Sequence, residues 1–221
     1  MANYRIRKYE DKDCEVVRDI FAVGIREHIP AGFVYTLKQP RLHLTLMCVL
    51  CLLFLSSRSF MLCILAVVLL LAGLRQASDY IYSTYVEATL KDDLLDINKT
   101  YMKSKGSCFW VAESNDHVVA MVAAVPSKGE PGALELKRMS VRKNYRGLGI
   151  AKALCRTVLD FARANGYKAV VLETSQVQYD AQKLYESIGY KKIRQFVLPM
   201  LVAKIINFSI LTYRYDFFPH N

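Results

Sequence analysis

Apolar and polar residues alternate at short periods along most of this chain, but between Leu42 and Leu74 the alternation stops. Only Arg58 and its neighbouring serines interrupt that run, leaving two apolar segments of sixteen residues each, 42–57 and 59–74. At 1.5 Å per residue each segment is roughly 24 Å long, short of the ~30 Å hydrocarbon core of a bilayer, so the pattern fits a tight membrane-inserted hairpin better than two full spans. A pair of buried core helices is the alternative, yet so long a nearly charge-free stretch exceeds what a small domain can cover. Lys38 and Arg41 precede the run, Arg75 follows it and Arg58 lies at its tip. The positive-inside bias therefore puts both ends on the cytosolic side.

The flanking segments read as one α/β (α+β) domain into which the hairpin is inserted: 1–40 carries a strand and a helix, 41–75 the hairpin, and 76–221 the remainder. Tyr4 to Tyr9 alternates as a strand, and Asp11 or Asp13 is placed to cap a helix carrying Val16, Val17, Ile20, Phe21 and Ile25. Ser78 or Asp79 starts a second helical stretch reaching about Tyr101. Ser107 to Glu113 and His117 to Val125 form an antiparallel hairpin about Asn115-Asp116, and a strand follows from Ala133 to Val141. The segment 149–164 is helical, with Ala153, Leu154, Thr157, Val158 and Phe161 on one stripe, ended by Asn165-Gly166. A buried strand from Ala169 to Leu172, a helix from Tyr179 to Ser187 stopped by Gly189, and strands near 192–198 and 208–217 complete a mostly antiparallel sheet with one strand-helix-strand unit.

Composition sharpens this picture. In 221 residues the hydrophobic share is 53% and the mean hydropathy +0.15, high for a soluble protein and concentrated in the hairpin. Met1 to Glu10 is polar and charged, so no N-terminal signal peptide is expected. Of six cysteines, Cys48, Cys51 and Cys63 lie in the apolar run and Cys14, Cys108 and Cys155 are scattered, which gives no disulfide framework and makes the Cys48-x-x-Cys51 pair apolar packing rather than redox chemistry. The formal charge of +10 admits nucleic acid, an anionic membrane or a polyphosphate, and its placement decides. Between Lys137 and Arg156 there are seven basic residues, Lys137, Arg138, Arg142, Lys143, Arg146, Lys152 and Arg156, and no acidic one, so the excess charge flanks one glycine loop.

That loop joins the strand ending at Val141 to the helix at 149–164. Gly147 and Gly149 let the backbone turn and approach a ligand, and the helix start offers unpaired amides and a positive dipole end, a phosphate site. The spacing is not that of a P-loop, and a Rossmann fingerprint would need a glycine where Lys152 stands, although Glu173 falls at the end of the next strand as a ribose-binding acid would. Polyphosphate rather than direct nucleic-acid binding is the economical reading.

Leu136 to Val141, then Arg146 to Ala151, with Leu184-Tyr185-Glu186-Ser187-Ile188-Gly189-Tyr190 some forty residues on, together resemble the acetyl-CoA motif of the GNAT acetyltransferases. Arg138 to Val141, Gly149 to Leu154, Gly106 to Ala112 and the apolar insertion resemble the camello-like branch of that family, whose members acetylate cysteine S-conjugates or aspartate, over nearly the whole chain. The resemblance implies that Arg146, Gly149 and Ala151, with Gly147, Ile150 and Lys152 beside them, hold the pyrophosphate. It also implies that the strand ending at Val141 splays from the one ending near Glu173, with backbone at Met139 and Val141 holding the pantetheine arm in the gap. Tyr185 resembles the tyrosine that protonates the departing sulfur. Many relatives have asparagine seven residues before it, where this chain has Gln178.

For the base, Glu135 lies on the strand entering the loop and Glu173 is its rival; both stay open. Asp93 and Asp96 resemble a segment of the aspartate-acetylating relative and border a candidate acceptor pocket, with a solvated helix face as the alternative. A carboxylate-bearing acceptor needs a cation, for which Arg26 and Arg138 are candidates. His28 and His117 have no partner at metal-ligand spacing, so no metal is expected. The expected activity is membrane-anchored N-acetylation from acetyl-CoA of a small amino-acid-type amine such as a cysteine S-conjugate. A protein lysine acetyltransferase acting on targets including histone H4 is the second reading, and a non-catalytic acetyl-CoA-binding membrane adaptor the third. The expected location is the endoplasmic reticulum or perinuclear membrane, catalytic part facing the cytosol, lipid contacted through 42–74; no oligomeric state follows from the pattern. Asn98-Lys99-Thr100 and Asn207-Phe208-Ser209 match the glycosylation triplet but would stay bare in the cytosol.

Overall fold

Alternating apolar residues build a seven-stranded sheet in the computed structural model, which describes residues 4–197, 199, 203–204 and 206–217. The strands are β1 (Arg5–Lys8), β2 (Cys108–Ser114), β3 (His117–Pro126), β4 (Ala133–Val141), β5 (Ala169–Ser175), β6 (Lys191–Val197) and β7 (Ser209–Asp216), in the order β1-β2-β3-β4-β5-β7-β6. Every pairing is antiparallel except β4 with β5. Position 198, the expected end of the sixth strand, lies outside the described residues. The β2–β3 turn has both Asn115 (φ 49°) and Asp116 (φ 61°) in the left-handed region, the geometry that matches strand twist in a two-residue hairpin.

Helices α1 (Cys14–Arg26), α2 (Ile29–Leu37), α3 (Pro40–Ser57), α4 (Phe60–Lys91), α5 (Ile150–Ala164) and α6 (Tyr179–Ile188) complete the fold. β2 is buried on both sides, as a central strand must be. Phe109 and Val111 meet Val17, Ile20 and Phe21 of α1 and Val86 of α4 on one face, while Trp110 and Ala112 meet Leu154 and Val158 of α5 and Tyr185 of α6 on the other. Burying each such aliphatic side chain contributes about 1.5–3 kcal/mol. The buried stripe of α5 is centred on Ile150, Leu154, Cys155, Val158 and Ala162; Ala153, Thr157 and Phe161 are its half-buried edge.

Three expectations need correction. Ser78 and Asp79 do not start a helix, because α4 runs unbroken from Phe60 to Lys91; the Ser78 hydroxyl donates back to Leu74 O at 2.9 Å instead of capping. Beyond Lys91 the chain turns, and only Asn98–Met102 is helical again, as one π turn. Asp13 does sit at the N-terminus of α1, but its carboxylate accepts from Arg7 (2.6 Å) and from the Glu10 amide (2.9 Å), locking β1 to the helix start. α2 was not expected at all, although Pro30 in its first turn is a helix-start signal.

α3 and α4 form the apolar hairpin, turning at Arg58 (φ 53°) with the Phe54 and Phe60 rings 4.6 Å apart. At eighteen and thirty-two residues both are long and apolar enough to cross a membrane, and the most apolar stretch of each is unburied, so neither apolar stretch belongs to the domain core.

Candidate active site

β4 and β5 pair only from Ala133↔Ala169 to Leu136↔Leu172. Beyond that point β4 follows β3, with Ser140 opposite Met121, while β5 follows β7, with Ser175 opposite Ile210. A bulge at Arg138, whose φ is 56°, bends β4 away. The strands splay, and the backbone of Lys137 to Val141, which includes Met139, faces a gap with no β5 partner. β5 runs on to Ser175, so Glu173 does not end its strand; it is the first β5 residue past the last pair.

At the mouth of the gap, Gly147 (φ 75°) and Gly149 (φ 81°) both adopt the left-handed conformation that a side chain would strain. Within the described residues no protein group accepts from the amides of Gly147, Leu148, Gly149, Ile150, Ala151 or Lys152; the first bonded amide of α5 is Ala153, to Gly149 O at 3.0 Å. Six successive amide donors thus lie without a protein acceptor at the positive end of the α5 dipole. Arg146 is pinned below them, its Nε donating to Val141 O (3.0 Å) and its guanidinium to Glu27 of α1 (2.5 Å). A cleft lined by Ile20, Val23, Gly24, Glu27 and residues 141–146 opens beside it.

Tyr185 and the two glutamates lie on opposite sides of the sheet. Tyr185 is buried on the α5–α6 face against Tyr190 (5.8 Å) and Tyr213 (6.1 Å), and no described residue hydrogen-bonds its hydroxyl. Burial, and secondarily Cys155, pushes the phenol well above its ordinary value, so it stays protonated at neutral pH. Glu135 and Glu173 share the other face: Glu135 pairs with Val171, two residues before Glu173. Burial and the neighbouring charge of Glu135 push Glu173 up, with Arg194 and Lys137 opposing. Lys137 lies 3.8 Å from Glu135. The sheet therefore separates a buried phenol from a carboxylate pair.

The remaining candidates are engaged locally. Arg138 and Asp93 form a two-pronged ion pair (2.8 and 2.7 Å) with side chains only 11% and 12% exposed. Arg138 also donates to Tyr85 (2.9 Å) and lies over the Phe21 ring at 5.2 Å, and Tyr101 donates to Asp93. Each charge is the other's partner, which the pattern along the chain does not reveal because the two are 45 residues apart. Asp96 is exposed and accepts from the Lys99 amide (2.8 Å), capping the π turn. Arg26 is exposed in the last turn of α1. Gln178 turns back on β5, its Oε1 accepting from Thr174 Oγ1 (2.9 Å) and the Ser175 amide (3.0 Å), so it clasps the β5–α6 turn. His28 caps α2 and His117 contacts Asn115 O (2.6 Å), and the described residues hold no metal-ligating cluster. Arg194 and Thr212 share the face of Glu173, at strand positions that carry no local signal along the chain.

Residues 75–190 match the model of the "Acetyltransferase (GNAT) family". The chain is 43% identical over 220 residues to "Probable N-acetyltransferase camello" of Xenopus tropicalis, covering 98% of this chain and 99% of that protein. It is equally 43% identical over 220 residues to "N-acetyltransferase 8F1" of Rattus norvegicus, with 98% and 99% covered. An acetyltransferase of GNAT family from Staphylococcus aureus Mu50 shares the fold at a TM-score of 0.59 and 18% identity, over 97% of this chain and 99% of that one.

Proposed function

This chain belongs to the GNAT acetyltransferase family and is an acetyl-CoA-dependent N-acetyltransferase, and from that premise we propose a membrane-anchored enzyme acting on a small amino-acid-type amine, for which a cysteine S-conjugate is the model acceptor. The row of six unpaired amides from Gly147 to Lys152 carries the proposal. Such a nest, with Lys143 and Lys152 near it, suits the pyrophosphate of acetyl-CoA, and the unpaired β4 edge at Met139 and Val141 suits the pantetheine amides.

When bound there, acetyl-CoA supplies the thioester carbonyl that the amine attacks. Glu173, raised by burial and by Glu135, takes the proton that makes the amine nucleophilic, directly or through water, and Glu135 keeps it basic. Tyr185, across the sheet, holds the proton that the sulfur takes as it leaves. Arg146 acts from below, fixing the loop between Val141 and Glu27 rather than reaching outward. Gly149→Val, which puts a β-branched residue at φ 81°, is expected to raise the KM for acetyl-CoA at least about tenfold. Steady-state kinetics on detergent-solubilised protein with a benzyl-cysteine acceptor checks this, and an unchanged KM would sink the pyrophosphate assignment. A histone H4 tail peptide acetylated faster would move the acceptor to protein lysine; saturable coenzyme binding without any product would favour the adaptor.

The unburied apolar faces of α3 and α4, flanked by Lys38, Arg41 and Arg75, support an anchor with the domain on the cytosolic side of the endoplasmic reticulum or a perinuclear membrane. The protein is expected to resist alkaline carbonate extraction and to carry no glycan at Asn98, whose amide donates to Asp11 at 3.0 Å. Glycosylation at Asn98, or at acceptor sites added near the chain ends, would refute the cytosolic placement.

A further inference from the structure

An amino-acid acceptor brings a carboxylate as well as an amine; of the two arginines singled out along the chain, Arg138 is clasped by Asp93 and Arg26 is exposed in the last turn of α1. The face that carries Glu173 offers another. Glu173 stands opposite Thr212 on β7, and Thr212 opposite Arg194 on β6, so the three side chains form one row on one side of the sheet. β5 and β6 are two strand spacings, about 9.6 Å, apart. That separation between the Glu173 and Arg194 positions can take one small zwitterion.

We propose that Arg194 receives the carboxylate of the acceptor while Glu173 faces its amine, which makes Arg194 the residue that selects α-amino acids over plain amines. This rests on the acetyl-transfer reading given above. Three observations carry it. The extra residue in β6 between Lys192 and Arg194 shifts the register and brings Arg194 into line with Thr212. Its guanidinium lies over the Phe196 ring at 5.0 Å, two residues along the same strand and on the same face. Of the cations on this face, Lys137 is paired with Glu135 at 3.8 Å and Arg214 with Asp216 at 2.7 Å and with Glu130; Arg194 and Lys191 make no ion pair among the described residues, and of these two only Arg194 stands in the row of Glu173. A guanidinium fork matches a carboxylate in two hydrogen bonds. The same charge, with Lys191 and Lys192 beside it, opposes a lysine-rich tail.

The test compares S-benzylcysteine with its carboxamide and with a lysine peptide, using full-length wild type, Arg194→Gln, Arg194→Lys and Lys191→Gln in detergent. Rates are taken on the alkaline plateau, where loss of the Arg194 field on Glu173 does not enter. Wild type should prefer the carboxylate acceptor. Arg194→Gln should raise KM for that acceptor about 10- to 100-fold, the worth of a charged hydrogen-bond pair, while leaving the carboxamide and acetyl-CoA within about twofold. Arg194→Lys should fall between, and Lys191→Gln should match wild type. An equal change for acid and amide, no change, the same loss from Lys191→Gln, or a wild-type preference for the carboxamide or the peptide overturns the assignment. Failure of the acetyl-transfer reading would look different: wild type would acetylate none of the three acceptors, and both conclusions would fall together.

Discussion

Asp93→Ala is expected to destabilise the folded domain by about 3–5 kcal/mol, since it leaves the Arg138 guanidinium buried with no counter-charge. Arg138 is 11% exposed, sits at φ 56° in the β4 bulge, and stacks on Phe21, so its guanidinium is largely shielded from water. Chemical unfolding of detergent-solubilised protein measures the loss. The double change Asp93→Leu with Arg138→Met should cost less than the single one, because it removes both charges. The pH dependence follows from the same pair. Burial pushes the Asp93 carboxyl up, but the hydrogen bonds and charge of Arg138 outweigh it and hold the group below its ordinary 3.8. A depressed carboxyl stabilises above its unfolded value, so this contribution is full at neutral pH and is lost as the pH falls below 3.8 through the folded-state value. An Asp93→Ala protein as stable as wild type would show that the clasp carries no net energy.

Tyr185→Phe is expected to lower kcat by roughly 10² to 10⁴, the usual worth of a positioned acid, with the KM for acetyl-CoA nearly unchanged. The substitution conserves ring volume, and no described residue loses a hydrogen bond to the hydroxyl, so the contacts with Tyr190 and Tyr213 survive. A kcat within about twofold of wild type would remove Tyr185 from the chemistry and leave it a core aromatic.

Sequence pattern located what depends on neighbours along the chain. β4 falls at Ala133–Val141 as its alternation implies, the β2–β3 hairpin turns at Asn115-Asp116, and α6 stops at Gly189, whose φ of 110° suits a left-handed cap. The glycine loop was legible for the same reason, since two glycines and an apolar helix stripe define it locally. What depends on partners across the fold was not. Asp93 and Arg138 looked like separate candidates until tertiary packing joined them, and Ser78 looked like a cap until the helix ran through it. The Glu173–Thr212–Arg194 row arises from strand order β5-β7-β6, in which the last two strands are inverted relative to the chain. No local propensity encodes such an order.

α4 gives the molecule a stiff axle. From Arg75 to Lys91 it climbs about 24 Å without a break, and its upper turns, at Val86 and Thr89, are embedded in the domain. Under the proposed anchoring, the transfer gap is held at one altitude above the lipid. Acetylation then belongs to a thin layer of solution beside the bilayer, where an acceptor with a greasy substituent is already gathered by partitioning. Such a molecule reaches the enzyme by searching an area rather than a volume.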